Sequence, residues 1–263
     1  MDLNKTTLRN KFNNGQIILI NKPIGKTSFE IVKNIRFFLM KYLKLNKLKV
    51  GHAGTLDPLA TGLLILCTGK MTKKIESIQN QYKEYTGIIT LGSTTPSFDL
   101  ETEFDCLYDY SHVDEKLIQS IKKKFLGKID QFPPVFSALK KNGKRLYEYA
   151  RKGEKINIKS RKIEILEFDI KKISLPNIQF RIKCSKGTYI RSIANDFGKS
   201  LNSGAHLSKL SRTKIGDYNI SQSIKIEDFK DFYLSTSDDS FKITWYFLSL
   251  LIKFDKWNTS VFY

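Results

Sequence analysis

Two long runs in the second half of the chain, KINIKSRKIEILEFDIKKISL (155–175) and IQFRIKCSK (178–186), meet at Leu175-Pro176-Asn177. Ile- and Phe-rich runs on either side of a proline turn read as two long strands joined by that turn, and a chain with such a pair must build a sheet around it. Other segments supply more strands. QIILINKPIG (16–25) is a short apolar run closed by Pro and Gly, YTGIITLG (85–92) alternates with Tyr85, Gly87, Ile89 and Leu91 on one face, and AHLSKLSRTKIGDY (205–218) is strand again. Helices interrupt them. TSFEIVKNIRFFLMKYL places Thr27 three residues before Glu30, a capping box, and spaces Ile31, Val32, Ile35, Phe38 and Leu39 helically. ILCTGKMTKKIESI (65–78) is a strand entering a short helix, VDEKLIQSIKKKFLG (113–127) an amphipathic helix ended by Gly127, and TYIRSIANDFGKSL (188–201) a helix with Ile190, Ile193, Ala194 and Phe197 at threes and fours. The order lacks the regular βαβ alternation of a doubly wound sheet, so the fold class is α+β, mixed α and β around one sheet.

Charge narrows the partners. With 263 residues, 41% hydrophobic and 12% aromatic, the chain buries one sizeable core, so one main domain is expected. Forty-five Lys and Arg against 26 Asp and Glu give a formal charge of +19. Between Ile121 and Ile163 fourteen bases face three acids, with Phe125, Phe132, Phe136, Tyr147 and Tyr149 interleaved. Bases that neutralise phosphates beside flat rings suit RNA better than lipid. Pro133-Pro134 and Asn142-Gly143 mark this stretch as an excursion from the core. Cys67, Cys106 and Cys184 are scattered, without a CxxC pair, which argues against structural zinc and for a reducing compartment. The N-terminus has no apolar leader, and the most apolar run, Ile243 to Ile252, is half the ~20 residues of a membrane span, so a cytoplasmic protein is expected.

GHAGTLDPLATGLL (51–64) sets one acid, Asp57, among apolar and small neighbours. Asp-Pro is a common turn dipeptide, and a catalytic acid is the competing reading. GKTS (25–28) looks like the tail of a phosphate-binding loop, but Ile20 stands where that motif needs a glycine, which excludes it.

NKPIGKTS, GHAGTLDPLATGLL, KEY (83–85), SFD (97–99), PPVFSALKKNGKRLYEYARKG (133–153), GTYIRSIANDFGKSL and GAHLSKLSRTKIGDY occur in order over about residues 16–230. This set resembles the TruB-type tRNA pseudouridine synthases. The resemblance implies the pseudouridine synthase fold, a central, mostly antiparallel mixed sheet flanked by helices and loops with a basic thumb insertion. It implies isomerisation of uridine 55 in the T-loop of tRNA with no cofactor and no metal, by a monomer. Asp57 becomes the catalytic acid, acting on the ribose as nucleophile or as base at its carbon 2. Both roles need it ionised; burial among leucines disfavours the charge, so a cation must offset it. Arg191 matches that cation, with a fork able to hold a carboxylate by two hydrogen bonds. Tyr85 matches the ring that stacks on the flipped uracil and helps remove its carbon-5 proton, Leu210 the opposite apolar wall, His52 a holder of the opened RNA loop, and Asp99 an acid near the base. TTPSFDL departs from the family's TDT-x-D-A pattern, which bears on the loop shape around Asp99. Lys22 and Pro23 buttress the active-site loop, and His112 and His206 are structural. Residues 125–160 form the thumb, with Lys140, Lys141, Lys144, Arg145, Arg151 and Lys152 on the T-arm. A catalytic domain is expected over 1–235, with 236–263 an apolar tail and no separate RNA-binding domain. The other reading is a tRNA-folding chaperone with little turnover.

Overall fold

In the computed structural model, which describes residues 3–154 and 156–235, the chain runs in order through α1 (Leu3–Asn14), β1 (Ile17–Lys22), α2 (Ser28–Tyr42), β2 (Val50–His52) and β3 (Thr61–Thr68). A 3-10 turn (Gly69–Lys74) leads into α3 (Ile75–Gln79), β4 (Lys83–Leu91), β5 (Ser93–Thr94), β6 (Cys106–Leu107), α4 (Glu115–Lys123) and β7 (Gly127–Gln131). Then come β8 (Lys140–Lys141), β9 (Lys144–Arg145), α5 (Leu146–Arg151), β10 (Arg161–Ser174), β11 (Asn177–Cys184), α6 (Ile190–Ser200), β12 (Ala205–Ile215), β13 (Tyr218–Asn219) and α7 (Ile226–Ser235).

The β10–β11 pair joins one mixed sheet, ordered β1-β3-β12-β4-β11-β10-β7, with β2 added beside β3 and β13 beside β12. Its pairings are antiparallel except β12 with β3, which run parallel over Ser211–Thr61 and Arg212–Gly62. Gly62 makes that seam possible. A Cβ there would lie 2.4 Å from the Arg212 carbonyl oxygen, and its φ of +104° is one that L side chains rarely adopt. On the outer face Arg181 of β11 pairs with Glu84 of β4 at 3.0 Å and with Glu167 and Asp169 of β10 at 2.5 and 2.7 Å, locking three strands in register.

One core cluster lies between β4, β10, β11 and the helices α4 and α6, centred on Phe125, Phe168, Phe180 and Phe197. Another packs α1, α2 and α7 on β1 and β3 through Phe12, Ile31, Ile35, Leu39, Phe229 and Tyr233. The polar N-terminal segment thus contributes a helix, held by buried Phe12 against Tyr233. Thr27 and Glu30 form the expected reciprocal cap of α2.

Two expectations shift. Helix α4 ends at Lys123, and Gly127, with φ +85°, opens β7 instead of closing the helix. Strand β7 pairs with β10 from Ile165–Gly127 to Arg161–Gln131, so 127–131 belong to the sheet and the excursion begins at Phe132. For the same reason β10 begins at Arg161, where its partner runs out, and not at 155. Residues 236–263, expected to be an apolar tail, lie outside the described residues. Among the described residues no helix is long and apolar enough to cross a membrane.

Candidate active site

Asp57 begins a turn, Asp57-Pro58-Leu59-Ala60, closed by Ala60 N–H donating to the Asp57 carbonyl at 3.1 Å. Asp first and Pro second suit that turn. Three distant elements fix it. From β1, the fully buried Lys22 donates through Nζ to the carbonyls of Pro58 (3.2 Å), Pro23 (2.9 Å) and Lys26 (2.6 Å), while Gly25 N–H also donates to Pro58. From the start of α2, buried Ser28 accepts from Leu56 N–H at 2.8 Å and donates to the Leu56 carbonyl at 3.0 Å. From β12, buried Arg212 donates to the carbonyls of Gly54 (3.0 Å), Thr55 (3.4 Å) and Leu63 (2.8 Å). The GKTS stretch, rejected as a phosphate loop, therefore caps α2 with Thr27 and pins the acid's neighbour with Ser28. Lys22 buttresses the loop as expected. Ser28 and Arg212 were missed by sequence reasoning, and only their presence within the quoted blocks pointed at them.

Arg191, near the start of α6, approaches Asp57 Oδ2 at 2.9 Å through Nε and Asp99 Oδ2 at 3.6 Å, and its Nη1 donates to the Ser97 carbonyl at 3.1 Å. The expected two-pronged grip is absent. The same Nε faces both Asp57 and Asp99 without forming a hydrogen bond to either, so the attraction is charge on charge, while Nη1 serves the Ser97 carbonyl. Burial is also reversed from expectation. The Arg191 side chain is 3% exposed and Asp57 35%, so the cation is the sequestered member and the carboxylate stays open to the cleft.

The TTPSFDL departure builds a knot around Asp99. Thr95 and Ser97 hydroxyls donate to the Asp99 carbonyl, Ser97 N–H to Thr102, and Phe98 sits at φ +65°, an uncommon conformation for a large side chain. The loop thereby aims both the Ser97 carbonyl and the Asp99 carboxylate at Arg191.

Asp57 stands where two lobes of the cleft meet. The first, about 740 Å³, is walled by Tyr85, Leu210, Arg212 and Lys83, with Arg161 stacked on Tyr189 at 4.6 Å further along. Tyr85 and Arg212 are cross-strand partners on β4 and β12. Burial pushes the Tyr85 phenol pKa up, against the opposing pull of the Arg212 charge, and pushes the Lys83 ammonium down to about 8. The second lobe, about 660 Å³, is lined by His52, Phe29, Phe136, Arg145, Tyr147 and Arg151. Burial, helped by Arg212, lowers the His52 pKa, against the opposing pull of the Gly54 backbone. Of the expected thumb residues, Arg145 and Arg151 reach this lobe and flank the Tyr147 ring at 5.9 and 5.3 Å. Lys140, Lys141 and Lys144 lie on the β8–β9 hairpin around Asn142-Gly143, Lys141 being tied to the Asn157 carbonyl, and Lys152 follows α5. His206 and His112 bond Ser93 and the Leu201 carbonyl, in structural roles.

Burial also pushes Lys22 down, from 10.5 to about 8, with the Asp57 charge working the other way. Above about pH 8 the folded protein sheds this proton while the unfolded chain keeps it until about pH 10.5. Relative to Lys22→Met, the native protein should therefore gain stability between pH 8 and 10, by on the order of 3 kcal/mol at most. Denaturant midpoints of both proteins across that range check it, and parallel curves would refute it.

The fold has solved counterparts. An H/ACA RNP structure bound to a substrate RNA containing 2'-deoxyuridine matches with TM-score 0.65 and 26% identity, covering 91% of this chain and 59% of that one. A Cbf5-Nop10-Gar1 complex matches with TM-score 0.67 and 28% identity, covering 92% and 61%, so this chain spans about three fifths of those proteins. These likenesses put the sheet and its cleft in the pseudouridine synthase class. The model of the TruB family pseudouridylate synthase N-terminal domain matches residues 41–190, and that of the tRNA pseudouridylate synthase B C-terminal domain matches 191–252. The proteins called tRNA pseudouridine synthase B of Flavobacterium johnsoniae and Parabacteroides distasonis are 57% and 51% identical to it, covering 82% and 83% of this chain and 95% and 93% of theirs. The chain belongs to the TruB family of pseudouridylate synthases.

Proposed function

We propose that this protein isomerises uridine to pseudouridine in tRNA, at position 55 of the T-loop. The observation that carries the reading is Asp57, a carboxylate open to a cleft, 2.9 Å from the buried Arg191 guanidinium and beside the Tyr85 ring and Leu210. A nucleobase cannot be reached inside a stacked loop, so the target nucleotide swings out into the first lobe, at a cost of a few kcal/mol. There Tyr85 and Leu210 bracket the uracil, and Asp57 faces the ribose as nucleophile or as base at carbon 2. The bond from ribose to N1 breaks, the held uracil turns, and carbon 5 bonds to the ribose carbon as its proton leaves. Arg191 sets its guanidinium beside the carboxylates of Asp57 and Asp99.

His52 and the lobe lined by Arg145, Tyr147 and Arg151 hold the opened loop. Residues 132–160 close over the T-arm as a thumb on the catalytic domain 1–235, in a cytoplasmic monomer that uses no metal or cofactor. If the thumb engages about four phosphates, it should contribute about −3 to −4 to the slope of log K for tRNA against log salt. A flat dependence in filter binding would contradict the thumb.

The direct test uses tRNA transcript tritiated at carbon 5 of uracil. Stoichiometric or greater tritium release by the native protein and none by Asp57→Asn supports turnover. Equal release from both proteins would remove Asp57 from the chemistry, and none from either with tRNA still bound leaves only a tRNA-folding role.

A further inference from the structure

Residues 3–75 carry fourteen Lys and Arg against two acids, Glu30 and Asp57. This matches the excess in the thumb segment, so the positive charge is concentrated in two places and the site described above uses one of them. Neither acid offsets the second. Glu30 accepts from Thr27 N–H at 2.7 Å in the α2 cap, and Asp57 faces Arg191.

The structure sets three of these bases around one groove. Arg36 from α2, Lys47 and Lys49 from the link to β2, and Thr72 from the 3-10 turn line a groove of about 340 Å³ floored by Val50 and Gly51. Leu48 is buried between Lys47 and Lys49, which anchors the link and leaves both lysines exposed, and Lys70, Lys73 and Lys74 are exposed along the 3-10 turn. Among the described residues none of Arg36, Lys47, Lys49, Lys70 and Lys73 has a carboxylate within 4.0 Å. The groove and the cleft meet the same short strand. Strand β2 carries Gly51 in the groove's floor and the next residue, His52, in the lobe beside Asp57.

We infer that this groove holds the sugar–phosphate backbone of the tRNA outside the T-arm stem-loop, an inference that rests on the function proposed above. Among the described residues the lining holds no aromatic ring, unlike the thumb lobe with its Phe29, Phe136 and Tyr147. Point charges without stacking surfaces suit a paired backbone, whose bases are unavailable, whereas the opened loop needs rings. The two basic surfaces divide the substrate accordingly, one holding the loop and the other the continuing RNA.

The test replaces Arg36, Lys47, Lys49 and Lys73 together by Gln in the full chain, and compares full-length tRNA with an isolated T-arm stem-loop. Affinity by filter binding and tritium release are both measured. The expected result is an affinity for full tRNA about tenfold weaker, with a salt slope shallower by about 2 to 3. Affinity and turnover on the stem-loop should stay within twofold of the native values. Equal losses on both RNAs, or no change on either, would overturn the inference. So would unchanged tRNA affinity with lost binding to vesicles of anionic phospholipid, which would make the groove a membrane contact. Should native protein release no tritium while the variant still loses tRNA affinity selectively, the groove assignment stands and the isomerase reading falls.

Discussion

Asp57→Asn is expected to cut tritium release by up to about 10⁴-fold, while leaving tRNA affinity and the unfolding temperature nearly unchanged. The large rate effect follows because an amide can neither attack the ribose nor take its carbon-2 proton, and a positioned group of this kind contributes up to about 10⁴-fold. The small stability effect follows from the geometry. The Asp57 side chain is 35% exposed, and its turn is held through backbone atoms by Lys22, Ser28 and Arg212, none of which bonds the carboxylate. An isosteric amide keeps all of those contacts. Loss of tRNA affinity in step with activity would instead assign Asp57 to RNA binding.

Arg191→Met should fail in both respects, losing turnover and about 3 kcal/mol of stability. Asp99, 7% exposed, has its Oδ2 3.6 Å from Arg191 Nε, so removing the guanidinium strands a buried charge; breaking such pairs from one side costs about 3–5 kcal/mol. Adding Asp99→Asn to Arg191→Met removes the stranded charge and should restore most of the stability but none of the activity, because Asp57 still lacks its cation. Chemical denaturation and tritium release on the native, single and double variants separate the two effects. Recovered turnover in the double variant would show that Arg191 serves only to neutralise Asp99.

Much of this was legible where the physics is local. The Thr27–Glu30 cap, the helical spacing of Ile31, Val32, Ile35 and Leu39, the alternation through Tyr85 and Ile89, and the turn at Leu175-Pro176-Asn177 each depend on residues within a few positions, and each appears as read. The resemblance located Asp57, Arg191, Tyr85 and Leu210, which the structure brings to one cleft. Long-range relations were not legible. Arg212 binds carbonyls some 150 residues away, Ser28 meets Leu56 across 28, and neither contact leaves a period in the sequence. The sharing of Arg191 between two acids was hidden too, since it depends on a loop folded around Phe98 at positive φ. The share of β7 in the sheet was obscured by the charged residues of an edge strand with alternate solvent-facing positions.

Strand β12, late in the chain, lies between β3 and β4, which are both made early. While a ribosome is still synthesising the protein, those two earlier strands have nothing between them, and the Gly54 and Thr55 carbonyls lack the donor that anchors them. A chain cut before residue 205 would keep the Lys22 and Ser28 anchors of the Asp57 loop but lack the one from Arg212. The loop that carries Asp57 thus gains its third anchor only once β12 has been made, long after the aspartate itself.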